Sequence, residues 1–342
     1  MMTLPTPPAM TTRIAALGHY QPEHVLTNDD LAQIVDTSDE WIRQRTGIVR
    51  RRIARTESVA DMAAEAAGKA LAAAGLEPAE IGMVSVATCS AIDRCPSTAA
   101  QVAGRLGIPA AAAYDLNNGC AGFTTALAAA DHSVRAGAAR HALVIGAEKM
   151  SDVVDWTDRS SCVLLGDGAG AAVVSGAEVS AGDRDAGDEH AADGHAGRAS
   201  RPGIGPVVWG SDPTRGDAVR LLGAWQPQFA QEGQTVYRWA TTEMAPLIRE
   251  ACARAGITPG ELGGIVTHQA NLRIIDSLAR QLDAPRAVVA RDVVESGNTS
   301  AASVPLALSK LVQRGDIASG APVLLFAFGG GLSWAGQVVN CP

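Results

Sequence analysis

Two distant stretches of this chain read as the same unit of structure. The run from Asp61 to Gly75, rich in alanine, has the spacing of a helix, and Leu76 to Ala87 follows it as a turn and an apolar strand. Glu243 to Gly256 and then Ile257 to Thr267 repeat that order. Each unit leads to a turn of small residues that opens a helix, Gly119-Cys120-Ala121-Gly122 in one half and Gly297-Asn298-Thr299-Ser300 in the other. Each half then closes on a strand, a glycine turn and a strand, over Val163 to Val174 and Val323 to Val339. Three kinds of segment in one order predict a duplicated chain. Alternating helices and continuous apolar strands predict an α/β fold with sheets covered on both faces. In such a duplication Cys120 and Asn298 hold equivalent places near a pseudo-twofold axis.

The chain has 342 residues, enough for two domains or one duplicated one. Aromatic residues make up only 4% while alanine and glycine abound, which suits backbones packed closely together. A net charge of −8 argues against a nucleic-acid binder. The six cysteines, Cys89, Cys95, Cys120, Cys162, Cys252 and Cys341, form no CxxC pair and no zinc spacing, so no metal is expected. A chain this large needs no disulfide framework, and a reducing cytoplasm is the simpler expectation. Residues 1–12 read as a loose tail without a signal peptide, and no stretch is long and apolar enough to span a membrane. Residues 176–203, poor in apolar side chains, read as a flexible insertion, with His190 and His195 as solvated loop histidines. Residues 13–175 then form the half with the nucleophilic cysteine, and residues 204–342 the half with the histidine and asparagine.

Cys120 sits in Asp115-Leu116-Asn117-Asn118-Gly119-Cys120-Ala121-Gly122-Phe123, between a strand-like run and an alanine-rich helix. A helix start favours the thiolate and is expected to lower the thiol's pKa. His268 follows the strand ending at Thr267, where ligands bind in open α/β sheets. Asn298 opens a helix. Taken singly, each has a bland reading: an inert buried cysteine, a satisfied core histidine, an ordinary helix cap. The conjunction of the three points to covalent catalysis through a thiolate. The other five cysteines read as inert. Gly329-Gly330-Gly331 can present a backbone N–H to an oxyanion. Gly166-Asp167-Gly168-Ala169-Gly170 lacks the ending of a phosphate loop and is expected to be a hairpin between two strands. The stretch from Thr37 to Arg52 joins Trp41 to several arginines, a combination that suits a ligand with an aromatic base and phosphates.

Together these residues closely resemble β-ketoacyl-acyl-carrier-protein synthase III, the initiating condensing enzyme of bacterial fatty-acid synthesis. The resemblance runs from about Arg13 to Val339 and rests on TSDEWI–RTGI, CAGF, TDR–GDGAGAA, HQANLRIID, GNTSAASVPLAL and FGGG. It implies a thiolase-like fold, a duplicated five-layer αβαβα sandwich, in a homodimer. It implies that Cys120 takes an acyl group from acyl-CoA, with the N–H groups of Cys120 and Gly330 as the oxyanion hole. His268 and Asn298 would hold the malonyl thioester of malonyl-carrier protein and stabilise its enolate after CO2 leaves. No cofactor beyond the CoA thioester is implied. Trp41 and Arg159 would sandwich the adenine of CoA, with Arg45 near its phosphates and Asn271 along the pantetheine channel. Phe328, Leu165 and Cys95 would line the active site, and Arg273 and Arg280 would face the acidic carrier protein.

The chain departs from that family at several positions. Asn117-Asn118 stand where small residues are usual, Arg94-Cys95 and Leu165 where aromatics are common, and Gln234 where an asparagine contacts pantetheine. Small side chains at Cys95 and Leu165 leave room for a branched or longer starter. The alternative is a pathway-specific priming ketosynthase or an acyltransferase of polyketide or other secondary metabolism using the same acyl-cysteine. A plain thiolase would carry a second cysteine beside the C-terminal glycine turn, and Phe328-Gly-Gly-Gly331 has none. A chalcone-synthase-type enzyme would lack the CoA-binding motifs, and a non-catalytic partner would have lost the nucleophile.

Overall fold

A computed structural model describes residues 10–93, 95–178, 203–223 and 226–342. Most of the expected tail and insertion, with Arg94, His190 and His195, lies outside the described residues. The first half contains β1 (Met10–Tyr20), α1 (Asp39–Thr46), α2 (Val59–Ala74), β2 (Met83–Ala87), α3 (Thr98–Leu106), β3 (Ala112–Leu116), α4 (Gly122–Arg135), β4 (His141–Lys149) and β5 (Asp167–Glu178). The second contains β6 (Val208–Ser211), α5 (Gly233–Arg254), β7 (Gly264–Thr267), α6 (Leu272–Leu282), β8 (Val288–Val289), α7 (Ser303–Arg314), β9 (Pro322–Gly329) and β10 (Ser333–Asn340).

The first sheet runs β1-β5-β4-β2-β3 and the second β6-β10-β9-β7-β8, one order used twice. In each, the first two pairings are antiparallel and the last two parallel. Helices α4 and α7 lie between the sheets and touch both. Helices α2 and α3 cover the outer face of the first sheet, and α5 and α6 that of the second. These are the five layers of a thiolase-like αβαβα sandwich. The middle core joins Phe123, Leu127 and Val134 of α4 to Val304, Leu308 and Leu311 of α7, with Val144, Val174, Val266 and Leu325 from the sheets.

Local signals explain the elements. Ser58 caps α2 through a capping box with Asp61, and Gly75 ends it at a left-handed φ of 65°. Helix α6 buries Ile274, Ile275, Leu278 and Leu282 and turns its polar residues outward. The small residues serve close approach. A Cβ on Gly170 of β5 would lie 2.4 Å from the Leu306 nitrogen of α7, and one on Gly146 of β4 2.4 Å from the Ala301 carbonyl oxygen.

Three expectations need correction. Met10–Thr12 belong to β1 rather than to a tail, because they pair with Glu178, Ala177 and Gly176. For the same reason β5 continues through Glu178, past the expected start of the insertion. Gly166–Gly170 is not a hairpin. Val163 to Leu165 follow the short helix Arg159–Cys162 as a buried turn, and Asp167 begins β5 directly. Gly166 is needed there because a Cβ would lie 2.2 Å from the Ser296 carbonyl oxygen.

Gly170→Ala therefore forces α7 off the first sheet. We expect it to lose about 1–3 kcal/mol of stability in urea unfolding; an unchanged midpoint would contradict this packing.

Candidate active site

The nucleophile candidate is placed by a change of direction after β3. Gly119 adopts a left-handed φ of 49°, which turns the chain into one tight turn, Gly119–Ala121, ahead of α4. Cys120 thereby faces the glycine turn after β9. A Cβ on Gly329 would lie 2.7 Å from Cys120 Cβ and 3.0 Å from its sulfur, so no side chain fits there. The Ser300 hydroxyl and the N–H groups of Gly330 and Cys120 lie close to the Cys120 sulfur. These donors favour the thiolate, but burial outweighs them, Glu148 adds its repulsion, and the thiol is pushed up to about 11. The expected lowering at a helix start is thus overturned. The resting group is a thiol, although one face opens onto a cavity.

His268 follows β7 and is buried. Its N–H donates to the Phe326 carbonyl at 2.8 Å, and Nδ1 is 2.8 Å from Ser303 Oγ. Its ring meets Phe328 edge-on at 5.7 Å, and Phe328 in turn meets Trp239 at 6.0 Å. Burial lowers the imidazole to about 3, so the ring is neutral near neutral pH. Asn298 is also buried; its N–H donates to Leu164 O at 2.8 Å, and its carbonyl accepts from Gly166 N at 3.0 Å. Its side-chain Oδ1 accepts from Ser300 N at 2.9 Å, which leaves its NH2 to donate elsewhere.

The segment Asn298–Ser303 ties the three together. Asn298 anchors Ser300, Ser300 lines the same cavity as Cys120, and Ser303 bonds His268. Beside them lies a cavity of about 400 Å³ lined by Cys89, Asn118, Cys120, Val219, Ser300 and Gly330, among others. A second cavity of about 950 Å³ adjoins it and shares Cys89, Asn117 and Leu221.

The other expected residues are spread around this centre. Cys95 lines the second cavity, not the one that holds Cys120. Leu165 is buried in a cluster with Phe229, Ile275 and Val293, and Phe328 stands behind His268. Arg159 lies over the Trp41 ring at 4.9 Å. Arg45 is exposed on α1. Asn271 caps α6 by accepting from Arg273 N, and its Nδ2 donates to the Arg45 carbonyl at 3.1 Å, so it braces α1 against α6. Arg273 and Arg280 are exposed on α6, Arg273 lying over Tyr237 at 5.1 Å. Asn117 Oδ1 accepts from Gly119 N and Asn118 Nδ2 donates to Thr125 Oγ1, so the asparagine pair shapes the nucleophile turn.

Two residues of the site escaped sequence reasoning. Glu148 in β4 is fully buried, and among the described residues no lysine or arginine pairs with it. Cys89, expected to be inert, donates its thiol to Glu148 Oε1 at 3.3 Å and lines both cavities. The available signals were an acidic residue inside an apolar strand, and a cysteine just past the end of a parallel strand. Among the described residues no group of histidine, cysteine and carboxylate side chains could hold a metal ion, and no helix could cross a membrane.

Comparison with known proteins places this geometry. Two family models match: "3-Oxoacyl-[acyl-carrier-protein (ACP)] synthase III" over residues 114–189 and the corresponding C-terminal model over residues 252–341. The chain is 62% identical to β-ketoacyl-[acyl-carrier-protein] synthase III 4 of Streptomyces coelicolor, over 97% of this chain and 99% of that one. The priming β-ketosynthase of the R1128 polyketide biosynthetic pathway superposes with a TM-score of 0.91 at 40% identity, covering 99% of this chain and 98% of that one. The 3-oxoacyl-[acyl-carrier-protein] synthase III of Aquifex aeolicus superposes with a TM-score of 0.85 at 37% identity, covering 96% and 99%.

The neutral histidine has a consequence for stability. Its folded value of about 3 lies below the ordinary 6.5, so the unfolded chain takes the proton first. The stability it contributes is full above about pH 6.5 and is lost as pH falls toward about 3. Urea unfolding at about pH 7.5 and about pH 5 should show the decline, and His268→Gln should shrink it. An equal decline in the variant would contradict the assignment.

Proposed function

The chain belongs to the 3-oxoacyl-[acyl-carrier-protein] synthase III family of condensing acyltransferases, and on that premise we propose that it joins an acyl-CoA starter to malonyl-acyl carrier protein. The products are a 3-oxoacyl-carrier protein, CoA and CO2. The observation that carries the reading is the close packing of the glycine turn on Cys120, where a Cβ on Gly329 would lie 3.0 Å from the sulfur and 3.4 Å from the Cys120 nitrogen. When that sulfur attacks the acyl-CoA carbonyl, the N–H groups of Cys120 and Gly330 would receive the oxyanion. CoA leaves and a thioester remains on Cys120.

The malonyl thioester carbonyl then accepts hydrogen bonds from Nε2 of His268 and the amide of Asn298. With Nδ1 held by Ser303 and the ring neutral, His268 acts as a donor and not as a permanent base. The electron pair of the broken C–CO2 bond becomes an enolate that these donors stabilise. Its carbon attacks the acyl-cysteine, and Cys120 leaves as the displaced thiolate. Atoms and electrons balance without a metal or redox group.

Substrate delivery is part of the same proposal. Arg159 and Trp41 already stack on each other, and CoA adenine would part them and lie between. Arg45 stands close by for the phosphates, and Arg273 and Arg280 offer positive charge to an acidic carrier protein in the cytoplasm. The outer edge of β3, with Ala112, Tyr114 and Asp115 exposed, suits pairing with a second copy in a homodimer. A priming ketosynthase or acyltransferase role in polyketide metabolism is the second reading. The R1128 relative and the wide cavity next to Cys89 support it.

Cys120→Ala should show no acyl adduct by intact mass spectrometry after incubation with a panel of acyl-CoA thioesters, while remaining folded. An adduct on the variant would sink the mechanism. His268→Ala should still be acylated but release no CO2 from malonyl-carrier protein; equal loss of both steps would indicate a base instead. Trp41→Ala should weaken CoA binding by about tenfold in calorimetry, and unchanged affinity would remove it from the CoA site.

A further inference from the structure

His268 and Asn298 arrive on different elements, and one side chain spans the gap between them. Gln269, next to His268, is only 1% exposed. Its Nε2 donates to the carbonyls of Thr267 at 2.8 Å and Ala290 at 3.3 Å, and its Oε1 accepts from Val293 N at 3.1 Å. Carbonyls at one end and an N–H at the other fix which way the amide points. Thr267 is the last residue of β7, directly before His268, and Ala290 follows β8. Val293 begins the short helix Val293–Ser296, and Gly297 N bonds back to Val293 O at 3.0 Å just ahead of Asn298. The pairing of β7 with β8 ends at Ile265 and Val289, with Ala290 N donating to Ile265 O at 2.9 Å. Past that point the Gln269 amide carries the connection.

Both ends of this span are also tied to α7. Ser303 Oγ is 2.8 Å from His268 Nδ1 and accepts from Gln269 N at 3.4 Å. Asp292 accepts from Lys310 Nζ at 2.7 Å and from the Ser296 hydroxyl at 2.7 Å, and Lys310 stands on α7. Helix α7 thus holds each segment, and Gln269 holds the two segments to each other.

We propose that Gln269 is a positioning residue: it sets the separation between Nε2 of His268 and the amide of Asn298, and so governs how well the pair stabilises the enolate. This rests on the condensing reading above and deepens it. With its amide committed to main-chain groups inside the fold, Gln269 acts through the two donors and not on the substrate. Two donors that serve one thioester oxygen work only at the right spacing, and a displacement of about 1 Å can cost about 100-fold in rate. Acylation draws on Cys120 and the glycine turn instead, and does not need that spacing.

Gln269→Leu keeps the bulk and removes the bonds to Thr267, Ala290 and Val293. Release of CO2 from malonyl-carrier protein should fall by about tenfold or more in kcat with KM little changed, while mass spectrometry shows Cys120 acylated at a rate within about twofold of the wild type. Equal loss in both steps, or CO2 release at the wild-type rate, overturns the proposal. A separation matters only while both donors are present. In an Asn298→Ala background, Gln269→Leu should therefore cost no more than about twofold further. The full loss repeated in that background would mean general loosening and overturn the proposal as well. Gln269→Asn keeps the amide but is one methylene too short to reach every partner. It should show the same split between the two steps even if Gln269→Leu fails to fold, and wild-type CO2 release from folded Gln269→Asn would count against the positioning role. A wild-type enzyme that releases no CO2 removes the condensing reading and the positioning role together. An active wild type beside an unaffected Gln269→Leu removes the positioning role alone.

Discussion

The site depends on one segment, Asn298 to Ser303, lodged between the two sheets. Its backbone bonds the turn at Leu164 and Gly166, Ser303 bonds His268, Ser300 lines the cavity beside Cys120, and Ala301 N reaches Glu148. It can lie so deep because Gly146 of β4 has no side chain to meet Ala301. The strand after it, β9, then brings its glycine turn against Cys120. Every reactive group therefore hangs on a close backbone approach that side chains larger than hydrogen would prevent.

Much of this was legible in the residues. The repeated helix–turn–strand units fold as two sheets of one order, and the small-residue turns at Cys120 and Asn298 occupy matching places after β3 and β8. Such features are local and periodic, so a linear reading captures them. What it missed depends on partners far away in the chain. Met10–Thr12 look like a tail until Gly176–Glu178 pair with them. Gly166–Gly170 look like a turn because glycines abound, but the glycines answer to Ser296, and Pro305 and Leu306 of α7. The acidity of Cys120 was misjudged because the helix start is local while the burial comes from β9 and the 298–303 segment. Glu148 reads as an interruption in a strand, and only the fold brings Thr88, Cys89 and Ser90 around it.

The duplication also shows where the halves stopped matching. Ala87 of β2 is paired with Gly146, and Thr267 of β7 with Phe326. Two residues further along those partner strands stand Glu148 and Phe328. Each faces the residues that follow the neighbouring strand: Glu148 meets Thr88 to Ser90, and Phe328 meets His268. Equivalent backbone positions thus carry a carboxyl group in one half and an aromatic ring in the other.

That mismatch gives the pocket a polarity. With a perfect twofold, the two sides of the centre would be identical. A buried carboxyl group stands behind one side of the site and a buried aromatic ring behind the other, so the two sides differ although their strands match. A symmetric scaffold thereby acquires a left and a right.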